Sequence, residues 1–173
     1  LQGWEELDEP VDRIVSIGAF EHFRRQRHSA FFAKCRSVLR PGGRMLLHTI
    51  VVSPPRPGSG AAGLTREDAH FLRFIVRDIF PGGQLTLAKM VKSKAAEAGF
   101  ELRREHALGP HYARTLDEWA DRLIASREQA IALSSQETYE KYVEYLTGSS
   151  SRFEDSRIDV VQFTLTGKSD PMP

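Results

Sequence analysis

Two ionisable side chains, Glu21 and His22, follow directly on a short apolar run in Asp-Arg-Ile-Val-Ser-Ile-Gly-Ala-Phe-Glu-His-Phe (12–23). Arg13 to Ile17, with its β-branched residues, predicts a buried strand, and Gly18 and Ala19 let the backbone turn tightly after it. In a parallel α/β sheet, ligands occupy the crevice outside the carboxyl ends of the strands. A carboxylate and an imidazole at that rim are candidates for binding and proton transfer; the plain alternative is a loop with a surface Glu and His. His48 interrupts a second apolar run, Arg44 to Val52. It suits either a satisfied core imidazole or a partner for Glu21 across the rim. Tyr112 follows His111 in Gly-Pro-His-Tyr, which reads as a turn carrying an imidazole and a phenol. Trp4, beside Glu5 and Glu6, precedes the first strand. It could cap the sheet edge, or stack on a flat ring with a carboxylate nearby to accept from an amine or hydroxyl.

The elements that must position these groups read as follows. Ser29 to Leu39 places Phe31, Phe32, Cys35, Val38 and Leu39 at helical spacing, and Arg40-Pro41-Gly42-Gly43 ends the helix in a turn. Arg44 to Val52 is continuously apolar, as in a strand covered on both faces. Strand, helix and strand make a βαβ unit with a parallel pair. Ser53 to Gly63, rich in Pro, Gly and Ser, reads as a mobile loop. Thr65 as N-cap with Asp68 at N3 opens a Phe-rich helix, Phe71 to Phe80, that resembles a lid or the wall of an apolar cavity. Met90 to Ala98 reads as a helix and Phe100 to Leu108 as a strand. A helix from Thr115 or Asp117 turns Leu116, Trp119, Leu123, Ile124 and Ile131 inward. The last helix starts at Ser135 and stops at Gly148 in a Gly-Ser-Ser-Ser tail, and Arg157 to Gly167 is the final strand. Cys35, on an apolar helix face, is a core residue rather than a nucleophile.

At 173 residues, 40% hydrophobic and 27% charged, the chain can build one domain with a sizeable core. A net charge of +1 gives no bulk electrostatic reason to expect nucleic acid or an acidic membrane. One cysteine allows no internal disulfide and suits the reducing cytoplasm. No segment reaches the length of a membrane span, and no His/Cys/Asp/Glu cluster has metal-ligand spacing. No nucleophile elbow or P-loop is present, and Gly42-Gly43 and Gly82-Gly83 are turns rather than phosphate cradles. The opening Leu1-Gln2-Gly3-Trp4 predicts the later part of a longer chain.

Strand, helix, Leu-x-Pro-Gly-Gly and strand resemble the middle of a class I S-adenosylmethionine (SAM) methyltransferase. More specific strings extend the likeness. Val-Ser-Ile-Gly-Ala-Phe-Glu-His-Phe (15–23), Met-Leu-Leu-His-Thr-Ile (45–50), Phe-Ile-Val-Arg-Asp-Ile-Phe-Pro-Gly-Gly (74–83) and Pro-His-Tyr-Ala-Arg-Thr-Leu (110–116) resemble the mycobacterial mycolic acid cyclopropane synthases. Gln-Ala-Ile-Ala-Leu (129–133), Tyr-Leu-Thr-Gly (145–148) and Ile-Asp-Val-Val-Gln-Phe-Thr (158–164) do so too.

The resemblance implies an α/β, Rossmann-like methyltransferase core, entered at about its fourth strand. Residues 1–173 would be the C-terminal part of a single domain, with lid or acyl-site helices at 53–83 and 115–148. It implies that Glu21 helps hold a bicarbonate acting as base, and that the Ile17 carbonyl, His48 and Tyr112 complete that ion's surroundings. Trp4 and Glu5 would lie against the adenine of SAM, with Gly18 and His22 also on the cofactor side. Phe80 and Phe74 would face the acyl substrate. The implied reaction is methyl transfer to the double bond of an unsaturated acyl chain borne by acyl carrier protein, closing a cyclopropane. Water capture would give a methyl-branched alcohol instead, and an inactive paralogue would bind only lipid or protein. The family's Gly-rich loop, first three strands and a bicarbonate-contacting Cys precede the matching region, so these residues alone are expected to be inactive. The Pro-rich stretch within Val51–Gly63, and Ser149 where relatives commonly have Cys, depart from the family in ways that bear on substrate preference.

Overall fold

The computed structural model describes residues 2–53 and 65–168. The chain folds into two compact units. The first comprises 1–52, 83–107 and 160–173 and carries the sheet; the second comprises 53–82 and 108–159 and is helical.

In the sheet unit, β1 (Val11–Ile17) leads through α1 (His28–Val38) to β2 (Leu39–Val52). The two strands are parallel, so the expected βαβ unit is present. The Pro-Gly-Gly segment does not separate α1 from β2 as a free turn. It is a bulge inside β2: β1 advances from Val11 to Arg13 while its partner advances from Leu39 to Arg44. Gly42 takes φ +75° within that bulge, a value that favours glycine. β3 (Thr86–Leu87) pairs parallel with Val51 and Val52, beyond the end of β1. After α3 (Ala88–Glu97), β4 (Phe100–Ala107) runs antiparallel to β5 (Ile158–Gly167), and the order across the sheet is β1-β2-β5-β4. Alternate residues of β2 (Met45, Leu47, Val51) and β5 (Val161, Phe163, Leu165) share a core with Phe31, Phe32 and Cys35 of α1 and Val91 and Ala95 of α3. At about 25 cal/mol per Å², burial of each large side chain in this layer contributes roughly 1.5–3 kcal/mol.

In the helical unit, α2 (Arg66–Phe74) begins at the predicted cap. The Thr65 hydroxyl accepts from the Asp68 N–H, and the Asp68 carboxylate accepts from the Thr65 N–H. A π-helical turn, Ile75–Ile79, continues it. The loop expected at Ser53–Gly63 falls, from residue 54, outside the described residues.

Four expectations are corrected here. β1 is a strand but not a buried one: Ile14 packs against the core, whereas Val15 and Ile17, on the opposite face of this outermost strand, are each 63% exposed. Gly109 to Tyr112 is not a turn but the first turn of α4 (Gly109–Ala125), because Pro110 is tolerated where no helical N–H partner is needed. Asp159 Oδ1 completes that start, accepting from the N–H groups of Leu108 at 3.3 Å and Gly109 at 2.8 Å. The buried stripe of α4 is Gly109, Ala113, Leu116 and Ala120, which leaves Trp119 53% and Ile124 48% exposed rather than inward. Ile131 stands on a separate helix, α5 (Arg127–Leu133). Finally, α6 (Gln136–Glu154) does not stop at Gly148 but runs through the Gly-Ser-Ser-Ser stretch. Ser149 and Ser150 are buried, the Ser150 hydroxyl donates to the Ala113 carbonyl at 3.1 Å, and Phe71 fills the space beside Gly148. Small residues there serve close packing, which outweighs their weak helix propensity.

Candidate active site

A single 3-10 turn, Phe20–His22, follows β1 and carries the central acidic side chain. Phe20 anchors it. Its ring is fully buried, stacked on His28 with 4.1 Å between centroids, and lies 5.6 Å from both Phe31 and Phe32. With Phe20 fixed inward, Glu21 is left half-buried and His22 exposed at the carboxyl end of the strand. Glu21 is then held at two points. Its backbone carbonyl accepts from the Gln84 N–H at 2.8 Å, and its Oε2 accepts from the hydroxyl of fully buried Thr49 at 2.8 Å.

His48 lies opposite Ile17 in the β1–β2 register. The Gly18 N–H donates to its backbone carbonyl at 3.2 Å. Burial holds the imidazole pKa below its ordinary value, and the Glu21 charge works in the other direction. Its Nδ1 lies 3.3 Å from Gln162 Nε2. With the amide donating, the proton of the neutral imidazole sits on Nε2. Gly18 adopts φ +61°, and a Cβ there would meet no atom within 4 Å, so bare backbone faces open space at the strand end. One end of the sheet thus gathers a carboxylate, a hydroxyl, a neutral imidazole and an exposed peptide.

Trp4 is part of an aromatic cluster, edge-on to Phe31 at 5.4 Å and tilted to Phe23 at 5.8 Å. The Arg27 guanidinium lies 5.3 Å over the Trp4 ring and pairs with Glu5. Cys35 is buried, and desolvation pushes its thiol up to about 12, which keeps it a protonated core residue.

The remaining candidates belong to the helical unit. Tyr112 packs 5.7 Å from Phe153, and Phe80 meets Tyr145 edge-on at 5.6 Å. Burial, and then the neighbouring Tyr142 and Tyr112, hold the Tyr145 phenol pKa above its usual value. Phe74 is only 6% exposed and lies 5.9 Å from Phe71, within that unit's packing.

Sequence reading missed Thr49 and Gln162, the partners of Glu21 and His48. A signal for Gln162 exists: it is a polar residue inside the apolar run Val-Val-Gln-Phe of the last strand. Thr49 gave none, because a threonine is unremarked in any strand.

Comparison with known proteins agrees with this architecture. The family model for mycolic acid cyclopropane synthetase matches residues 1–163. Cyclopropane mycolic acid synthase MmaA2 of Mycobacterium tuberculosis is 51% identical over 166 residues, and its solved structure superposes with a TM-score of 0.89 over 94% of this chain and 57% of that one. The structure of mycolic acid cyclopropane synthase CmaA1 complexed with SAH and CTAB gives 0.87 at 50% identity, covering 94% and 57% of the two chains. A phosphoethanolamine N-methyltransferase of Haemonchus contortus, only 17% identical, shares the fold alone, with a TM-score of 0.76 over 96% of this chain and 36% of that one. The match takes in 95% of this chain but 58% of the length of MmaA2. This chain belongs to the mycolic acid cyclopropane synthetase family and has the fold of the SAM-dependent methyltransferases.

Proposed function

We propose that these residues form the base-bearing and acyl-facing part of an enzyme that transfers a methyl group from SAM to the double bond of an unsaturated, mycolic-type acyl chain. The observation that carries the reading is the placement of Glu21, held by Thr49, and of a buried, neutral His48 at one end of the sheet, in a chain that the family model matches over residues 1–163.

Attack of an alkene on a sulfonium methyl leaves a positive charge on the second alkene carbon. Loss of a proton from the added methyl then closes the three-membered ring. Each part of that sequence sets a demand on the protein. The alkene is a weak nucleophile, so orientation supplies much of the rate. The cation calls for a dry, electron-rich surrounding, and the rings of Phe80, Tyr112 and Tyr145 have the right chemistry. The proton calls for a base. Thr49 engages Oε2 of Glu21, and Oε1 can accept the O–H of a bicarbonate, while a neutral imidazole such as His48 is of the donor type that suits its anionic oxygens. The donor set therefore fits that ion, which when bound would supply the proton acceptor. Ile17 and Gly18 contribute backbone at the same strand end. On the cofactor side, Trp4 and Glu5 suit an adenine, which would take the place of Arg27 over the Trp4 ring; His22 stands exposed in the turn after β1.

CmaA1 holds SAH and CTAB in one structure. CTAB joins a long alkyl chain to a quaternary ammonium, the two features expected of a cationic acyl intermediate. No helix among the described residues is long and apolar enough to cross a membrane. We place the enzyme in the cytoplasm, with its acyl chain delivered by acyl carrier protein.

The test supplies the Gly-rich cofactor segment, which the family places ahead of the matching region, by fusing that part of MmaA2 before Trp4. The fusion is incubated with methyl-deuterated SAM and a mono-unsaturated acyl substrate, and the product is read by mass and by its ring protons. The expected result is a deuterated cyclopropane, with turnover falling about 10²- to 10⁴-fold in Glu21→Gln. A fusion that binds SAH but methylates no acyl chain would overturn the reading. Unchanged turnover in Glu21→Gln would remove Glu21 from the proton step.

A further inference from the structure

Opposite the end that carries Glu21 and His48, where β1 and β2 begin and β5 finishes, the sheet unit holds a concavity. Its volume is about 720 Å³, and its lining includes Arg36, Arg40, Arg44, Arg103 and Lys168. The β2 bulge at Pro41-Gly42 forms one wall. Five cations around one cleft stand out in a chain whose net charge is +1.

Part of this charge is already answered. Asp12 pairs with Arg40 at 3.0 Å and Glu101 with Arg103 at 2.8 Å. Arg36 lies in the last turn of α1, where it complements the negative end of the helix dipole. Arg44 and Lys168 remain, and among the described residues neither has a carboxylate within ion-pair distance. A cleft walled by low-dielectric protein focuses such an excess field.

Two of the guanidinium groups are also held in place. Arg36 lies across Gly167, where a Cβ would stand 2.9 Å from its Cζ, and it reaches the carbonyls of Leu39 and Lys168, each at 3.5 Å. Arg103 Nε donates to the Thr166 hydroxyl at 2.9 Å, and Thr164 adds a second hydroxyl to the lining. Oriented forks and hydroxyls lower the ordering cost of binding, and the planar guanidinium fork matches phosphate oxygens in pairs. The volume falls within the roughly 300–1,000 Å³ of small-molecule sites, so there is room for more than an inorganic ion.

We propose that this cleft binds a phosphate-bearing anion of charge two or more, as a phosphate monoester or diphosphate group. The site is separate from Glu21 and His48 and needs nothing from the proposed methyl transfer.

Pyrophosphate titrated into the purified protein by calorimetry tests this, at about 20 mM and about 200 mM salt so that screening can be read. The expected result is saturable one-site binding that weakens with salt and loses about 10-fold or more in affinity in Arg44→Gln/Lys168→Gln. Both substitutions are at exposed positions, and the single Lys168→Gln variant gives a smaller step of the same sign if the double variant is poorly folded. Vesicles of phosphatidylcholine with and without phosphatidic acid form the second arm. Binding to phosphatidic acid alone, lost in the double variant, assigns the phosphate to a lipid headgroup; binding of pyrophosphate assigns it to a soluble ligand. No binding in either arm, equal affinity for citrate, or affinity unchanged in the variants would overturn the proposal.

Discussion

Gly148→Ala separates two opposing effects at one position in the middle of α6. Helix propensity alone favours alanine by about 0.8–1 kcal/mol. The packing opposes it: a Cβ at Gly148 would lie 2.3 Å from Phe71 Cε2 and 3.0 Å from two further ring atoms. The ring has little room to withdraw. Its centroid is 3.8 Å from the Arg152 guanidinium and 5.9 Å from the Phe74 ring, and Phe71 and Phe74 are 7% and 6% exposed. Overpacking of this kind costs about 1–3 kcal/mol, and a rigid, hemmed-in aromatic belongs at the upper end. The net expectation is a loss of about 1–2 kcal/mol, read as a Tm lower by about 2–8 °C for a chain of this size. The control is Gly148→Ala/Phe71→Leu, which removes the obstructing ring; its coupling in a double-mutant cycle should recover about 1 kcal/mol or more. A Gly148→Ala protein with an unchanged or raised Tm would refute the packing argument and leave propensity in charge of α6.

Asp68 is 5% exposed and pairs with Arg157 and with Arg152. Removing its charge by Asp68→Asn leaves two half-buried or buried guanidinium groups uncompensated, and chemical denaturation should show a loss of about 3–5 kcal/mol. Burial alone would raise the Asp68 pKa, but hydrogen bonds from Thr65 and the charges of Arg157 and Arg152 hold it below its ordinary value. Its stabilisation is therefore fully present above about pH 4 and lost as pH falls through the lowered pKa, which an acid titration of wild type against Asp68→Asn will separate. The imidazoles of His28 and His48 are also depressed, both chiefly by burial. They are neutral in the fold at pH 7, so the Tm should begin to fall as pH drops below about 6.5 and continue to fall to their lowered pKa values. The fall should be smaller in His28→Gln. Cys35, with its thiol pushed up to about 12, should resist a thiol reagent at neutral pH in the native protein and react only after denaturation.

The sequence by itself determined the elements whose signals are local. The β-branched run at 13–17, the helical spacing of Phe31, Phe32 and Cys35, and the Thr65–Asp68 cap each depend on side chains a few residues apart, and each formed the element it signals. The family likeness was equally legible, since it rests on strings such as Gly-Ala-Phe-Glu-His that need no third dimension. Tertiary structure decided what depends on distant partners. Gly148-Ser-Ser-Ser looks like the end of a helix until Phe71 is seen to fill the space beside Gly148 and Ser150 to donate to the Ala113 carbonyl. Gly109-Pro110 looks like a turn until Asp159, fifty residues away, accepts from the start of the helix. The same holds at the rim: Glu21 and His48 could be singled out by type and position, but Thr49 and Gln162, which fix the carboxylate and the imidazole tautomer, reach them only across strands. The basic cleft is the extreme case. Arg36, Arg44, Arg103 and Lys168 are scattered through a chain with a net charge near zero, and only the packing of α1 with β2, β4 and β5 brings them around one volume.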